Sequence, residues 1–245
     1  MVDTAINLYS VRELDEPMFD IIDRVAAAGY DGVQFSGGFR DATAAETATR
    51  IEDHGLGVAP SHVGINELED EFEEVLADHR DTLGCTGGVV PWLGPGDFES
   101  AAAVDDAADR ILAVADRCAE HDWDLHYHNH AHEFVDLGDE TAFERFVRKI
   151  DPVSIELDVG WALVGGVDPA DFIRKHGDRI DVLHMKDMDV ETEDFREIGD
   201  GDVDMAACAQ AAHDVGVEWL VYEHDQPADP ATSIDTGGAF LSDLK

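Results

Sequence analysis

Residues 124–134 read Asp-Leu-His-Tyr-His-Asn-His-Ala-His-Glu-Phe. Laid out as a strand over 124–130, the stretch alternates, because successive side chains of a strand point to opposite faces. Leu125 and Tyr127 share one face, and His126, His128 and His130 share the other. An apolar face suits packing against helices. A row of imidazoles turned inward is costly unless the rings find partners. Glu133 follows where the strand runs out into a loop, and three later apolar runs repeat the design, each ending in a residue able to bind a metal ion.

Those runs belong to a rhythm that fills the chain. Strands are predicted at residues 4–9, 31–36, 56–63, 88–93, 124–130, 153–158, 180–186 and 219–224. Helices are predicted between and after them, at 17–28, 42–54, 67–82, 98–121, 140–150, 169–176, 205–215 and 239–244. Pro17 opens the first helix, and Gly29, Gly55, Gly84 and Gly177 stand at helix ends, the expected punctuation. Strand followed by helix-sized sequence, eight times over, predicts an α/β protein with one (β/α)8 TIM barrel domain spanning residues 1–245. A doubly wound open sheet is the competing architecture. It calls for a glycine-rich phosphate loop after an early strand, and neither GxGxxG nor a Walker motif occurs.

Composition narrows the function classes. There are 56 acidic residues against 16 basic ones, four of them lysine, for a formal charge of −40. Nucleic-acid binding needs a basic footprint, so no nucleic-acid partner is expected. The acids are spread along helix surfaces (Glu69-Asp70-Glu71, Glu73-Glu74, Asp105-Asp106), which fits a halophilic protein whose self-repulsion is screened by salt. No apolar run is long enough to span a membrane and no signal peptide opens the chain, so a soluble, cytoplasmic protein without a membrane partner is expected. Cys85, Cys118 and Cys208 are isolated, which reads as packed thiols.

In a barrel of this kind, catalytic groups gather at the C-terminal ends of the strands. Parity places them there. Val153, Ile155 and Leu157 share one side of their strand, leaving Glu156 and Asp158 inward; His184 and Lys186 lie opposite Leu183 and Met185; Glu223 lies away from Leu220 and Tyr222. Taken singly, Asp158 reads as a turn cap, His184 as a core histidine and Glu223 as a surface charge. Three strand ends with one parity read instead as a ligand set, to which Glu133 adds a third carboxylate. Three carboxylates and an imidazole suit one divalent ion (Mn²⁺, Mg²⁺, Co²⁺ or Zn²⁺) with positions left open for substrate. Such an ion supplies Lewis acidity toward a carbonyl, a carboxylate takes the neighbouring carbon-bound proton, and Lys186 stabilises the enediolate oxygen. His62, His128, His130, Arg12 and Trp161 are candidate substrate contacts. His126 lies deeper and reads as core, Asn129 faces the helices, and His54, His79, His121 and His213 near helix ends are expected to be solvated.

At these residues the sequence resembles the sugar phosphate isomerase/epimerase family of xylose isomerase-like barrels. The likeness is carried by Tyr127-His-Asn-His, Glu133-Phe134, Glu156-Leu-Asp-Val-Gly-Trp161, Leu183-His-Met-Lys-Asp187 and Tyr222-Glu-His224, with Asn7-Leu-Tyr-Ser-Val-Arg12 and Gly29-Tyr-Asp-Gly-Val33 extending it over nearly the whole chain. The resemblance implies a metal-dependent isomerase or epimerase of a sugar or sugar derivative. Its ligand set of Glu, Asp, His and Glu corresponds here to Glu133, Asp158, His184 and Glu223, with Glu133 and Glu223 moving the proton. Many relatives place a glutamate at the very end of strand five, where this chain has His128, so His128 or His130 is the alternative first ligand. An inosose-dehydratase-like lyase shares the first half-reaction and is the second reading. An abasic-site endonuclease would want a basic surface that is absent, and a non-catalytic binding barrel would not need the ligand positions. A small-molecule sugar is the expected partner, phosphate on it is not supported, and self-association into a homo-oligomer is common among such barrels.

Overall fold

In the computed structural model, which describes residues 2–245, the apolar runs pair side by side into one parallel sheet. Its strands are β1 (Asp3–Asn7), β2 (Gly32–Gln34), β3 (Gly57–Val58), β4 (Ser61–His62), β5 (Gly87–Val90), β6 (Asp124–His128), β7 (Ser154–Asp158), β8 (Ile180–Met185) and, last in the chain, β11 (Trp219–Tyr222). Their spatial order is β3-β2-β1-β11-β8-β7-β6-β5-β4. The two end strands are consecutive in sequence. They are the halves of the predicted third strand, broken at Ala59-Pro60, where proline cannot donate to a ladder. One half pairs with β2, the other with β5, and an isolated bridge from Ser36, just past β2, to His62 of β4 brings the two sides together, so the sheet is a nearly closed barrel. Eight βα units around a nearly closed parallel sheet make the predicted barrel.

Helices α1 (Met18–Ala27), α2 (Ala44–His54), α3 (Ile65–Asp70), α4 (Phe72–Val75), α5 (Ala101–Ala119), α6 (Ala142–Lys149), α7 (Val159–Val164), α8 (Pro169–His176), α9 (Met205–Val215) and α10 (Pro230–Ser242) follow in chain order. The main apolar core lies between them and the sheet. A smaller cluster of Ala5, Ala59, Val182 and Val221 fills the barrel itself, with Trp219 packed against it. The glycines opposite that indole are required: a Cβ on Gly32 or Gly57 would come within 2.9 and 3.1 Å of the Trp219 ring.

Three expectations are corrected. The acidic helix predicted over 67–82 is broken at Glu71 and continues as a wider turn over Leu76–Thr82. Like charges one turn apart, such as Glu67 with Glu71, oppose a regular helix there. The final helix starts at Pro230 rather than at 239, capped by the Asp229 carboxylate on the Ala231 and Thr232 N–H groups. Gly237 and Gly238 lie inside it because Tyr222, Tyr30 and Ala28 press against its backbone. Finally, β8 is followed by an antiparallel hairpin, β9 (Asp187–Asp189) and β10 (Asp194–Arg196), which the strand rhythm did not indicate.

Candidate active site

The C-terminal ends of the strands carry the polar groups that parity assigned to the interior. Glu156, Asp158 and His184 are fully buried, Glu223 is 4% exposed, and His128 is 2% exposed. One ligand atom from each of His128, Asp158, His184 and Glu223 lies within 4.8 Å of the others. Each comes from a strand end: β6, β7 and β8, and the residue just after β11.

Glu133 does not join this cluster. Beyond His128 the chain turns outward as a short 3-10 turn, Ala131–Phe134, and Glu133 falls on the helix-facing side of the sheet. There the Tyr127 hydroxyl donates to its Oε1 at 2.8 Å, and its Oε2 has no hydrogen-bond partner among the described residues. Burial pushes the Glu133 carboxyl well above the usual carboxylate range. His128, at the very end of β6, stands in the cluster instead.

The donor set suits a divalent ion. Both ring nitrogens of His128 and Asp158 Oδ2 are buried without an aligned hydrogen bond among the described residues. Such groups are normally satisfied in a native interior. His128 Nε2 is 3.4 Å from Asp158 Oδ2, and burial lowers the affinity of this imidazole for a proton, which leaves it neutral and able to ligate. Lys186, almost fully buried, sets its ammonium 3.0 Å from Asp158 Oδ2, 2.7 Å from Glu223 Oε2 and 3.0 Å from Asp225 Oδ1. Burial opposes its charge, but Asp158, Glu223 and Asp225 hold its pKa well above the usual lysine value. Glu223 is kept ionised in the same way: burial opposes its charge, and Lys186 and His184 overcome it.

Beneath the cluster lies a second polar layer. His184 Nε2 donates toward Gln34 Oε1 at 2.7 Å and lies 2.9 Å from Glu156 Oε1, and its Nδ1 lies 2.9 Å from Glu223 Oε2. Burial disfavours a charge on His184, yet Glu156 and Glu223 raise its pKa to about 10. His62 donates through Nε2 to Glu156 at 2.5 Å and stacks on His184 at 5.1 Å between ring centres.

The remaining candidates divide. A cavity of about 290 Å³ opens above the cluster and is bordered by His62, His128, His130 and Lys186, with Tyr9 and Trp92 at its lip. His130 is wedged between Trp92 and Trp161, at 4.5 and 5.6 Å, and Lys186 lies 5.3 Å from the Trp161 ring centre. Trp161, a predicted substrate contact, does not itself border the cavity but backs His130 and Lys186, and Phe195 of β10 packs edge-on against it at 5.5 Å. Arg12 is not brought to this cavity: its guanidinium stacks on Tyr9 at 3.9 Å and donates to the Tyr9 carbonyl. Arg40 is likewise engaged by the Val11 and Leu14 carbonyls. His126 is buried, as expected of a core residue, 3.6 Å from Asp181. Asn129 grips the backbone of Asp158 with both ends of its amide. His79 is buried against Phe39 rather than solvated.

Gln34, Asn7 and Asp225 escaped the sequence reading. The signal existed for two of them. Gln34 is a polar residue at the end of a strand, and Asp225 follows Glu223 at the two-residue spacing that keeps a side chain on one face.

Residues 22–244 match the family described as the xylose isomerase-like TIM barrel. The chain belongs to that family. Among curated proteins, the inosose dehydratase of Geobacillus kaustophilus (strain HTA426) is 26% identical over a 231-residue alignment covering 75% of this chain and 72% of that one. Among solved structures, a sugar phosphate isomerase/epimerase from Parabacteroides distasonis ATCC 8503 superposes with a TM-score of 0.82 at 22% identity, over 98% of this chain and 94% of that one. An L-ribulose 3-epimerase superposes with a TM-score of 0.77 at 16% identity, over 100% and 94% of the two chains. This xylose isomerase-like barrel thus shares its fold with sugar isomerases and epimerases.

Proposed function

We propose that this barrel is a sugar isomerase or epimerase that moves a proton beside the carbonyl of a sugar or sugar derivative, using a divalent ion held by His128, Asp158, His184 and Glu223. The observation that carries the reading is the convergence of those four ligand atoms within 4.8 Å at the C-terminal mouth. When bound, the ion supplies Lewis acidity toward the substrate's carbonyl. The chain supplies the rest. Glu223, kept ionised by Lys186 and His184, is the carboxylate at the mouth that takes the proton. Lys186 borders the cavity with its ammonium and balances the oxyanion that develops as the proton leaves. His130 borders the cavity, and Trp161 and Phe195 stack behind it as an aromatic backing that limits water near the reacting carbon. Two histidines and two carboxylates make a more nitrogen-rich set than the resemblance implied, which favours Zn²⁺, Co²⁺ or Mn²⁺ over Mg²⁺.

A specific observation favours dehydration as a second reading. With Glu133 behind the sheet, the mouth carries one ligand glutamate, whereas epimerisation by two ligand glutamates on opposite faces needs two. Elimination needs only one base and an acid for the leaving hydroxyl, and the curated relative is an inosose dehydratase.

Incubation of the metal-loaded protein in D₂O with ketoses, inososes and 3-keto-glycosides, followed by NMR, tests both. Deuterium is expected on carbon next to the carbonyl, and its incorporation is expected to be abolished by chelation and in Asp158→Ala. A rearranged sugar as product supports isomerisation, and loss of water supports the second reading. Absence of exchange on every substrate from folded, metal-loaded protein rules out proton abstraction.

A further inference from the structure

The hydrogen bonds beneath the cluster determine which nitrogen of His184 can serve as a ligand. Gln34 donates through Nε2 to the Pro60 carbonyl at 2.8 Å and to Glu156 Oε2 at 2.5 Å. The carbonyl at Pro60 accepts only, so the Gln34 amide has one orientation, and its Oε1 must face the other way. That oxygen accepts from Asn7 Nδ2 at 2.6 Å and from His184 Nε2 at 2.7 Å. Glu156 Oε1, 2.9 Å from the same Nε2, is a second acceptor, itself pinned by His62. A nitrogen facing two acceptors carries the hydrogen. Nδ1, 2.9 Å from Glu223 Oε2, is the nitrogen on the side of the four-ligand cluster; with no ion bound it donates to Glu223, and an ion bound there would take the place of that hydrogen.

We propose that Gln34 and Glu156 are positioning residues that lock His184 as an Nδ1 ligand for the divalent ion, by holding the proton on Nε2. This rests on the metal site named above. Metal-bound histidines commonly donate their other ring N–H to a carboxylate or carbonyl, which fixes tautomer and ring orientation, and loss of such a partner typically costs about 10- to 100-fold in metal affinity. Here the partner is doubled, and its orientation is anchored in the backbone at Pro60, the break between β3 and β4. The same proline that splits the third strand frees the carbonyl that orients Gln34. Five strands therefore meet at one imidazole: Asn7 from β1, Gln34 from β2, His62 from β4, Glu156 from β7 and His184 from β8.

Two measurements test this. In zinc-loaded wild-type protein labelled with ¹⁵N-histidine, the His184 ring is expected to show a protonated Nε2 and a coordinated Nδ1; a coordinated Nε2 overturns the proposal whatever the variants do. Co²⁺ titration against a competing chelator is then run on wild type, Glu156→Gln and Gln34→Met, with circular dichroism to confirm folding. Both variants are expected to lose about 10- to 100-fold in affinity, with an altered Co²⁺ visible spectrum. A role in packing alone would leave affinity and spectrum unchanged in folded variants, and that result overturns the proposal. The outcomes separate from those of the parent reading: wild-type protein that binds no ion refutes the metal site itself, whereas wild-type binding with indifferent variants refutes only the role of Gln34 and Glu156.

Discussion

Two residues six positions apart in sequence, Tyr127 and Glu133, account for the largest departure from expectation. Sequence spacing put Glu133 near the mouth, because a loop after a strand end can return to it. The Tyr127 hydroxyl, on the apolar face of β6, captures the carboxyl on the other side of the sheet. Nothing in the pattern distinguishes a glutamate reaching forward from one reaching back, so this part of the site was not legible. Glu133→Gln is expected to leave Mn²⁺ affinity at the wild-type value and His128→Ala to lower it about tenfold or more; the reverse order in calorimetric titration would restore Glu133 as the ligand. A pH effect follows from the same burial. Because the folded pKa of Glu133 is raised above its unfolded value of 4.5, its contribution to stability is full below pH 4.5 and declines as pH rises toward the folded pKa. Replacing it with glutamine, which still accepts from Tyr127, removes that loss. Urea denaturation should show Glu133→Gln gaining on wild type as pH rises above 4.5, with a slope of at most about 1.4 kcal/mol per pH unit. A pH-independent difference would mean that Glu133 is ionised in the folded protein.

At the scale of strands and loops, legibility followed periodicity. Parity placed Asp158, His184 and Glu223 at one mouth because a strand allows only two directions for a side chain. It could not show that Pro60 breaks the third strand in a way that nearly closes the barrel, since a two-residue strand has too few positions to alternate. The β9–β10 hairpin was illegible for another reason: besides its own ladder and the Arg196–Asp189 pair, it is tied to the loop that follows by one carboxylate. Asp187 accepts from the backbone N–H groups of Met188, Gly199, Gly201 and Val203, at 2.8 to 3.2 Å. A Cβ on Gly201 would come within 2.2 Å of its Oδ1, so the loop wraps the carboxylate closely. Asp187→Asn turns an amide N–H toward other N–H donors and is expected to cost about 1–3 kcal/mol. Because Phe195 rides on this hairpin, hydrogen exchange over residues 187–203 should rise in the variant while the rest of the barrel keeps its protection. Uniformly raised exchange would show that the hairpin is not a separate unit.

For the whole molecule, the charge of −40 is the property that sequence states outright and structure only distributes. Half-buried surface arginines are paired with acids, as in Arg110 with Glu69 and Arg145 with Asp105, but 16 basic residues cannot balance 56 acidic ones. The surplus repels itself at low ionic strength, where the screening length is about 8 Å at 0.15 M, and much less at 1 M, where it is about 3 Å. The melting temperature is therefore expected to climb steadily from 0.15 to 2 M KCl. A flat or falling curve would remove the proposed adaptation to salt. Among the described residues no helix is long and apolar enough to cross a membrane.

The central claim is that the strand ends hold one divalent ion, and diffraction tests it most directly. A crystal soaked in Mn²⁺ and measured for anomalous scattering should show a single strong peak bounded by His128, Asp158, His184 and Glu223, with Lys186 displaced from Asp158 Oδ2. An anomalous map with no peak there, or with its peak against Glu133 on the far side of β6, would contradict the account.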